Sequence, residues 1–233
     1  MEKYVVRNIE RPDKAIVDEL ARLGTATVYE AQGKEGLLTD TLHPIKEGFS
    51  VCGPAVTVIC QEGDNLMIHA AVEVCKPGDV VVITTVGNSN KHGMIGDLIV
   101  NSLIEKGVKA IIIESGLRDI KTLREMGLPI WSAHVIAKGT TKNKAGWVNA
   151  PAVCGEVLIN PGDLIVADDD GICVVRKEEA NSTLEKSLLR EKKEEATREK
   201  IKNGELGVDF YGFRDVLSKL GVRYYDNLND IQK

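Results

Sequence analysis

Residues 80–119 read VVVITTVGNSNKHGMIGDLIVNSLIEKGVKAIIIESGLRD, and this stretch decides the fold. Residues 80–85 and 108–114 are apolar with almost no alternation, the pattern of strands buried on both faces. Residues 93–106 between them read as a helix, so the unit is strand, helix, strand, the signature of a parallel crossover. Upstream, Ile16, Val17, Leu20 and Leu23 recur at helical spacing over 13–23, and Gly24 stops that helix. Thr25 is placed to cap a second short helix reaching Gln32. Residues 51–60 read as a strand in which Pro54 suggests an edge or a bulge, and 66–74 as a helix. Downstream come a short helix at 122–126, a strand at 129–132, and three strands at 153–159, 164–167 and 172–176. KPGDVVVI from Lys76 and NPGDLIVA from Asn160 each place Pro then Gly where a type II turn wants them, before a strand. From 178 to 203 the chain becomes a charged helix, with a shorter one at 211–220. The expected organisation is an α/β domain over residues 1–177 and a helical arm over 178–233 of the kind that packs on a neighbouring subunit.

Composition narrows the function. A net charge of -5 and a pI near 5.5 leave no positive excess to displace counterions, so no nucleic-acid partner is expected. Aromatic content of 4% argues against a base-stacking platform. No run of about 18 apolar residues is present, so no membrane partner is expected. The first residues, MEKYVVRNIERPDK, lack an apolar signal core, which points to the cytoplasm. Cys52, Cys60, Cys75, Cys154 and Cys173 are odd in number, widely spaced and mostly set among apolar residues, as reduced core cysteines are. His43, His69, His92 and His134 form no zinc-binding spacing.

Chemistry is expected where strands end. The loop GNSNKHGMIGD after the first buried strand carries Gly87, Gly93 and Gly96, which let backbone approach a ligand. The amides of Leu98 and Ile99 open a helix, and free amides there suit a carboxylate. Glycine-rich turns of this kind also occur without any ligand. The second loop, ESGLRD, sets Glu114, Arg118 and Asp119 behind an apolar strand. Such an arginine can clamp a carboxylate or stabilise an enolate oxygen, and the carboxylate can hold a hard cation. An Arg–Asp pair that merely closes a loop is the structural alternative.

Taken together, Asp97 and the pair Arg118-Asp119 lie twenty residues apart. This D-x(20)-R-D pattern resembles the class II pyruvate aldolases that act on 4-hydroxy-4-methyl-2-oxoglutarate and 4-carboxy-4-hydroxy-2-oxoadipate. The likeness continues through IWSAHVIAKGTTKNKAGWVNAPAVCGEVLINPGDLIVADDDGICVV from Ile130 and through GELGVDFYGFRDVL near the end. It implies a swivelling β/β/α-type domain with a C-terminal helical arm, assembled as trimers or hexamers. It also implies metal-dependent retro-aldol release of pyruvate, with oxaloacetate decarboxylation as a second activity. By the same resemblance Arg118 contacts the pyruvyl oxygens, and Gly96 with the amides of Leu98 and Ile99 receives the carboxylate. Asp119 is then the protein ligand of Mg2+ or Mn2+, and Asp97 acts through water on that metal. A glutamate from a neighbouring subunit's helix completes the set. Glu191, Glu194 and Glu195 all lie in the right stretch; Glu195 extends the helical stripe Leu184, Leu188, Glu191, which places it ahead of Glu194.

Three rivals remain in view. A Schiff-base aldolase would need a desolvated lysine, and Lys109 is the passable candidate. A non-catalytic ribonuclease-E-regulator-like binding protein shares the fold of the resemblance but lacks the full acidic pattern. A dedicated oxaloacetate decarboxylase would use the same residues.

Overall fold

A computed structural model of the chain describes residues 2–87 and 91–231. Asn88, Ser89 and Asn90 of the glycine-bearing loop lie outside the described residues. In chain order the elements are β1 (Tyr4–Val5), α1 (Lys14–Leu23), α2 (Thr25–Ala31), β2 (His43–Pro44), β3 (Val51–Gln61), α3 (Leu66–Val74), β4 (Val80–Val86), β5 (Gly93–Ile95) and α4 (Asp97–Glu105). There follow β6 (Ala110–Leu117), α5 (Ile120–Met126), β7 (Ile130–Val135), β8 (Trp147–Val148), β9 (Ala152–Cys154), β10 (Val157–Ile159), β11 (Leu164–Asp168) and β12 (Gly171–Val175). The chain ends with α6 (Ala180–Lys202), α7 (Gly207–Phe210) and α8 (Phe213–Lys219). The fold is mixed α/β, and it divides into two compact units whose boundary falls between Leu188 and Leu189, inside α6.

In the first unit β3, β4, β6 and β7 pair in parallel, in that order. Parallel neighbours require crossovers, and α3, α4 and α5 supply them. The apolar runs are unbroken because both faces of these strands are covered. Val81, Ile83, Ile111 and Ile113 point to one face, where Ile68, Ala71, Val100, Leu103 and Leu123 of the helices meet them. Val80, Val82, Ala110 and Ile112 point to the other, against Ile165, Ala167, Ile172 and Val174 of the β11–β12 hairpin. Behind that hairpin, Val17, Leu20 and Val28 of α1 and α2 pack on Val166 and Val175. The order of layers is therefore helix, parallel sheet, hairpin, helix.

Several expectations are corrected. Pro54 is neither at an edge nor in a bulge. Residues 51–54 of β3 pair with β11, and from Ala55 onward the strand pairs with β4. Pro54 sits at this change of partner, where a missing N–H is tolerated. Residues 93–95 form strand β5 and the helix begins only at Asp97, because Gly93 and Ile95 pair with Gly116 and Leu117 of β6. β6 in turn runs on to Leu117, so Glu114 is a strand residue rather than a loop residue. Residues 153–159 are two strands, β9 and β10, reversed at Gly155 and Glu156, both with positive φ. Gly24, not Thr25, occupies the N-cap of α2; the Thr25 amide donates instead to Asp168. The 211–220 segment is broken at Gly212, giving α7 and α8.

The two Pro-Gly-Asp turns are built alike. Gly78 and Gly162 have φ of 93° and 91°, which glycine adopts without strain. Asp79 and Asp163 are fully buried. Each accepts the amide three residues back, Lys76 N at 2.7 Å and Asn160 N at 2.8 Å. Each is neutralised by an arginine, Arg11 at 2.8 Å and Arg176 at 2.8 Å.

Along α6 the buried positions of the first unit are Ala180, Thr183 and Ser187. Small residues let the helix approach closely, so the packed face lies beside the expected leucine stripe. Leu184 is only partly buried and Leu188 is 39% exposed. In the second unit the helix surface carries i,i+4 ion pairs, Glu194 with Arg190 at 3.0 Å and with Arg198 at 3.3 Å. Beyond it, Tyr211 stacks with Phe213 at 5.2 Å between centroids. Leu206, Val216 and Leu220 are exposed. Among the described residues no helix is long and apolar enough to cross a membrane.

Candidate active site

Strand pairing brings the two loops together. β5 lies parallel to the end of β6, and the Arg118 amide donates to the Ile95 carbonyl at 3.0 Å. Asp97, two residues after Ile95, is thereby held beside Arg118 and Asp119 at the carboxyl end of the sheet. Gly96 lies between them, with a backbone (φ -144°) that any residue could adopt. What excludes a side chain there is space. A Cβ on residue 96 would meet Asp119 Oδ2 at 2.5 Å and Arg118 Nε at 3.1 Å. Gly93 is confined likewise, its Cβ position lying 2.5 Å from the Ile136 carbonyl oxygen. These glycines serve the approach of one protein segment to another.

Asp119 stands in the left-handed region, φ 60° and ψ 32°, at the N-cap of α5. Aspartate is among the few non-glycine residues that tolerate this conformation. Its carboxylate makes no capping bond to its own helix. It faces Gly96 and Arg118, with Oδ2 3.7 Å from Arg118 Nε. Both side chains are about half exposed, so an ion pair of this length contributes little to stability. A purely loop-closing role leaves the placement of the pair unexplained.

Two cavities meet at Asp97 and Arg118, which line both. The smaller, about 120 Å³, is also bordered by Asn65, His69, Gly96 and Lys142. The larger and more open one, about 590 Å³, is also bordered by Asp119, Thr122 and Val135. Leu98 and Ile99 line the smaller cavity. The Leu98 amide donates to Asp97 Oδ1 at 2.9 Å, so a ligand carboxylate at that amide would have to displace Asp97 from it.

Glu114 takes no part here. Its carboxylate accepts from Thr84 Oγ1 at 2.7 Å and from the Gly155 amide at 2.8 Å. Lys109 precedes β6 at the opposite end of that strand, is 37% exposed and lies 3.6 Å from Asp18, not in the dry pocket a Schiff-base lysine needs. Glu194 and Glu195 lie in the second unit, each ion-paired to Arg198, with Glu195 the more exposed. The five cysteines are all buried. Burial pushes the thiols of Cys52, Cys60, Cys75 and Cys173 up to about 12 and raises Cys154 further in the same direction.

The donors at the site are hard. Asp97 and Asp119 offer carboxylate oxygens beside open volume, and among the described residues no group of three or more His, Cys, Asp or Glu converges. Two carboxylates with room for water fit a Mg2+-like cation, which keeps much of its hydration shell. They do not fit zinc, which favours nitrogen and sulfur donors.

Asn65, Asp64 and Lys142 were not legible as site residues. Asn65 precedes α3 and reads as an ordinary cap, while Lys142 lies in a loop 77 positions away from it. The usable signal was the position of QEGDN at the carboxyl end of β3, the same rule that singled out the other two loops.

The fold and site define an α/β protein with a carboxylate-and-arginine cleft at the end of a parallel sheet. Residues 25–174 match the family described as RraA-like, Aldolase/RraA, and the chain belongs to that family. It is 32% identical, over 84% of its length and 92% of the relative's, to a Halalkalibacterium halodurans protein provisionally named 4-hydroxy-4-methyl-2-oxoglutarate aldolase. It is also similar to Streptomyces coelicolor RraAS2, described as an unusual member of the RNase ES inhibitor RraA protein family. That match has a TM-score of 0.73 and 31% identity, covering 82% of this chain and 99% of that one. A Pseudomonas syringae pv. tomato structure matches with a TM-score of 0.74 at 26% identity, over 85% of this chain and 93% of that one.

Proposed function

We propose that this protein is a divalent-metal-dependent aldolase. It cleaves 4-hydroxy-4-methyl-2-oxoglutarate or 4-carboxy-4-hydroxy-2-oxoadipate, releases pyruvate, and decarboxylates oxaloacetate in the same site. The observation that carries this reading is the convergence of Asp97, Arg118 and Asp119, from two separate strand ends, on one cleft. The names of relatives such as the Halalkalibacterium protein support the lyase class.

In retro-aldol cleavage the 4-hydroxyl loses its proton, the C3–C4 bond breaks, and the electron pair is delocalised from C3 onto the C2 oxygen. Protonation at C3 then gives pyruvate. Arg118 supplies fixed positive charge and planar donors to the oxygens where negative charge gathers. Asp97, which lines both cavities, receives the hydroxyl proton directly or through one water. Asp119 and Asp97 would hold Mg2+ or Mn2+, with a glutamate of a neighbouring copy, Glu194 or Glu195, completing the set. A bound cation supplies Lewis-acid stabilisation of the enolate charge. On this reading residues 1–177 form the catalytic domain, 178–233 form the arm, and the working assembly is a trimer or hexamer. The test is steady-state pyruvate release from a panel of 4-hydroxy-2-oxo acids. Activity should vanish with chelator and return with Mg2+ or Mn2+; full turnover in exhaustively demetallated protein would overturn the proposal.

A non-catalytic reading is favoured by one observation, the likeness to the Streptomyces protein of the RNase ES inhibitor family. It requires no pyruvate release from any of those acids, and the same assay decides.

A further inference from the structure

The far wall of the smaller cavity is built around an asparagine that does not do what its position suggests. Asn65 is the N-cap of α3, yet its side chain makes no capping bond. Asparagine at that position ordinarily accepts an amide of the first turn; here Asp64 does so, from Leu66 N at 3.0 Å. Asn65 Nδ2 donates to the Met94 carbonyl at 2.9 Å. A carbonyl can only accept, so this bond fixes which end of the amide is which. Oδ1, buried and without a partner, is left on a residue that lines the cavity. Asn65 as a whole is only 5% exposed. A buried acceptor with nothing to accept has a cost that a donor entering the cavity would remove.

Lys142 lines the same cavity and supplies such a donor. Its backbone is pinned from both sides by the residue next to Asn65. Asp64 Oδ2 accepts from Thr141 Oγ1 at 2.7 Å, Asn143 N at 2.6 Å and Lys144 N at 3.1 Å. The Asn65 amide donates to the Thr141 carbonyl at 3.1 Å. A loop lysine is thus braced over a cavity it shares with Arg118.

We propose that Lys142 is a specificity-determining residue that grips a second, remote carboxylate of the substrate, oriented by Asn65 Oδ1 and braced by Asp64. An ammonium has three donors: one reaches Asn65 and the others the carboxylate. With Arg118 at the 2-oxo acid end, the cavity then selects 2-oxo diacids over monoacids. This rests on the aldolase reading for the identity of the first group bound, and it names the substrate class of that same site.

The probe pair is 2-oxoglutarate and 2-oxopentanoate, alike in length and differing in the terminal carboxylate. Binding is measured by calorimetry with Mg2+ present, in the wild type, Lys142→Met and Asn65→Ser. The wild type should bind the diacid at least ~10-fold more tightly, the size of one charge-assisted hydrogen bond. Lys142→Met should erase that preference and leave 2-oxopentanoate binding unchanged; Asn65→Ser should shrink it. No preference in the wild type, or one that survives Lys142→Met, overturns the proposal. Because Lys142 is exposed, its replacement does not threaten folding, and thermal unfolding of each variant checks this. A preference that depends on Lys142 in a protein without lyase activity would sink the aldolase reading and keep the subsite. Pyruvate release with no such preference would do the reverse.

Discussion

Gly96 lies so close to the Asp119 carboxylate that a methyl group on residue 96 would stand 2.5 Å from Oδ2, well inside contact distance. The backbone of Gly96 is in an ordinary extended conformation, so Gly96→Ala strains no dihedral. The substitution acts by displacing Asp119 or Arg118. Misplacing reacting groups by less than an ångström lowers turnover steeply, so kcat should fall roughly 10- to 100-fold. Tm should scarcely move. Unchanged kcat would mean that the closeness of the two segments has no bearing on catalysis.

Asp119 separates backbone from side chain in the opposite way. Its left-handed conformation is free of strain for glycine and costs of order 1 kcal/mol or more for alanine. Asp119→Gly should therefore fold as well as the wild type, Asp119→Ala should be less stable, and both should lose turnover and metal response. Chemical denaturation beside a pyruvate assay reads both quantities. Substantial turnover in Asp119→Gly would remove the carboxylate from the mechanism.

The brace at Asp64 predicts a pH dependence. Burial alone would raise its pKa, but bonds from Asn143 and Thr141, then Leu66 and Lys144, outweigh that and hold it below the usual carboxylate range. A depressed folded-state pKa gives stability that is present above the unfolded value, about 4, and lost as pH falls through the folded one. The stability gap between wild type and Asp64→Asn should be full at pH 6 and close on acidification below about pH 4. A gap independent of pH down to 2.5 would contradict the assignment.

Much of this was legible in the residues, for physical reasons. The runs in β4 and β6 are apolar on both faces because each face meets a different layer, and only a buried parallel strand has that need. Asp79 and Asp163 announced themselves through the shared Pro-Gly-Asp turn. Residues 93–95 misled because a short apolar run bordering a helix has no period of its own, and only pairing with Gly116 makes it a strand. Pro54 misled because the partner switch from β11 to β4 depends on residues over a hundred positions away. Lys142 was hidden for the same reason, since its loop is held by Asp64, whose role no local pattern reveals.

The thiols should be inert. Their pKa values, pushed up to about 12 or beyond by burial, leave no thiolate at neutral pH. Native protein at pH 7.5 should show none of its five cysteines reacting with a thiol-exchange reagent over minutes, and all five after denaturation. Rapid labelling of one equivalent in the native state would show a site more open than its burial implies.

The central claim is that one arginine-centred site stabilises the pyruvate enolate from two reactions. Oxaloacetate losing CO2 and a 4-hydroxy-2-oxo acid losing its distal fragment yield the same enolate, so both should depend on Arg118 alike. The decisive measurement is kcat for each reaction, with Mg2+, in the wild type and Arg118→Lys, which keeps the charge but loses the planar fork. Both rates should fall together by roughly ten- to a thousand-fold. Aldol cleavage abolished while decarboxylation stays well above the free-metal background would contradict it.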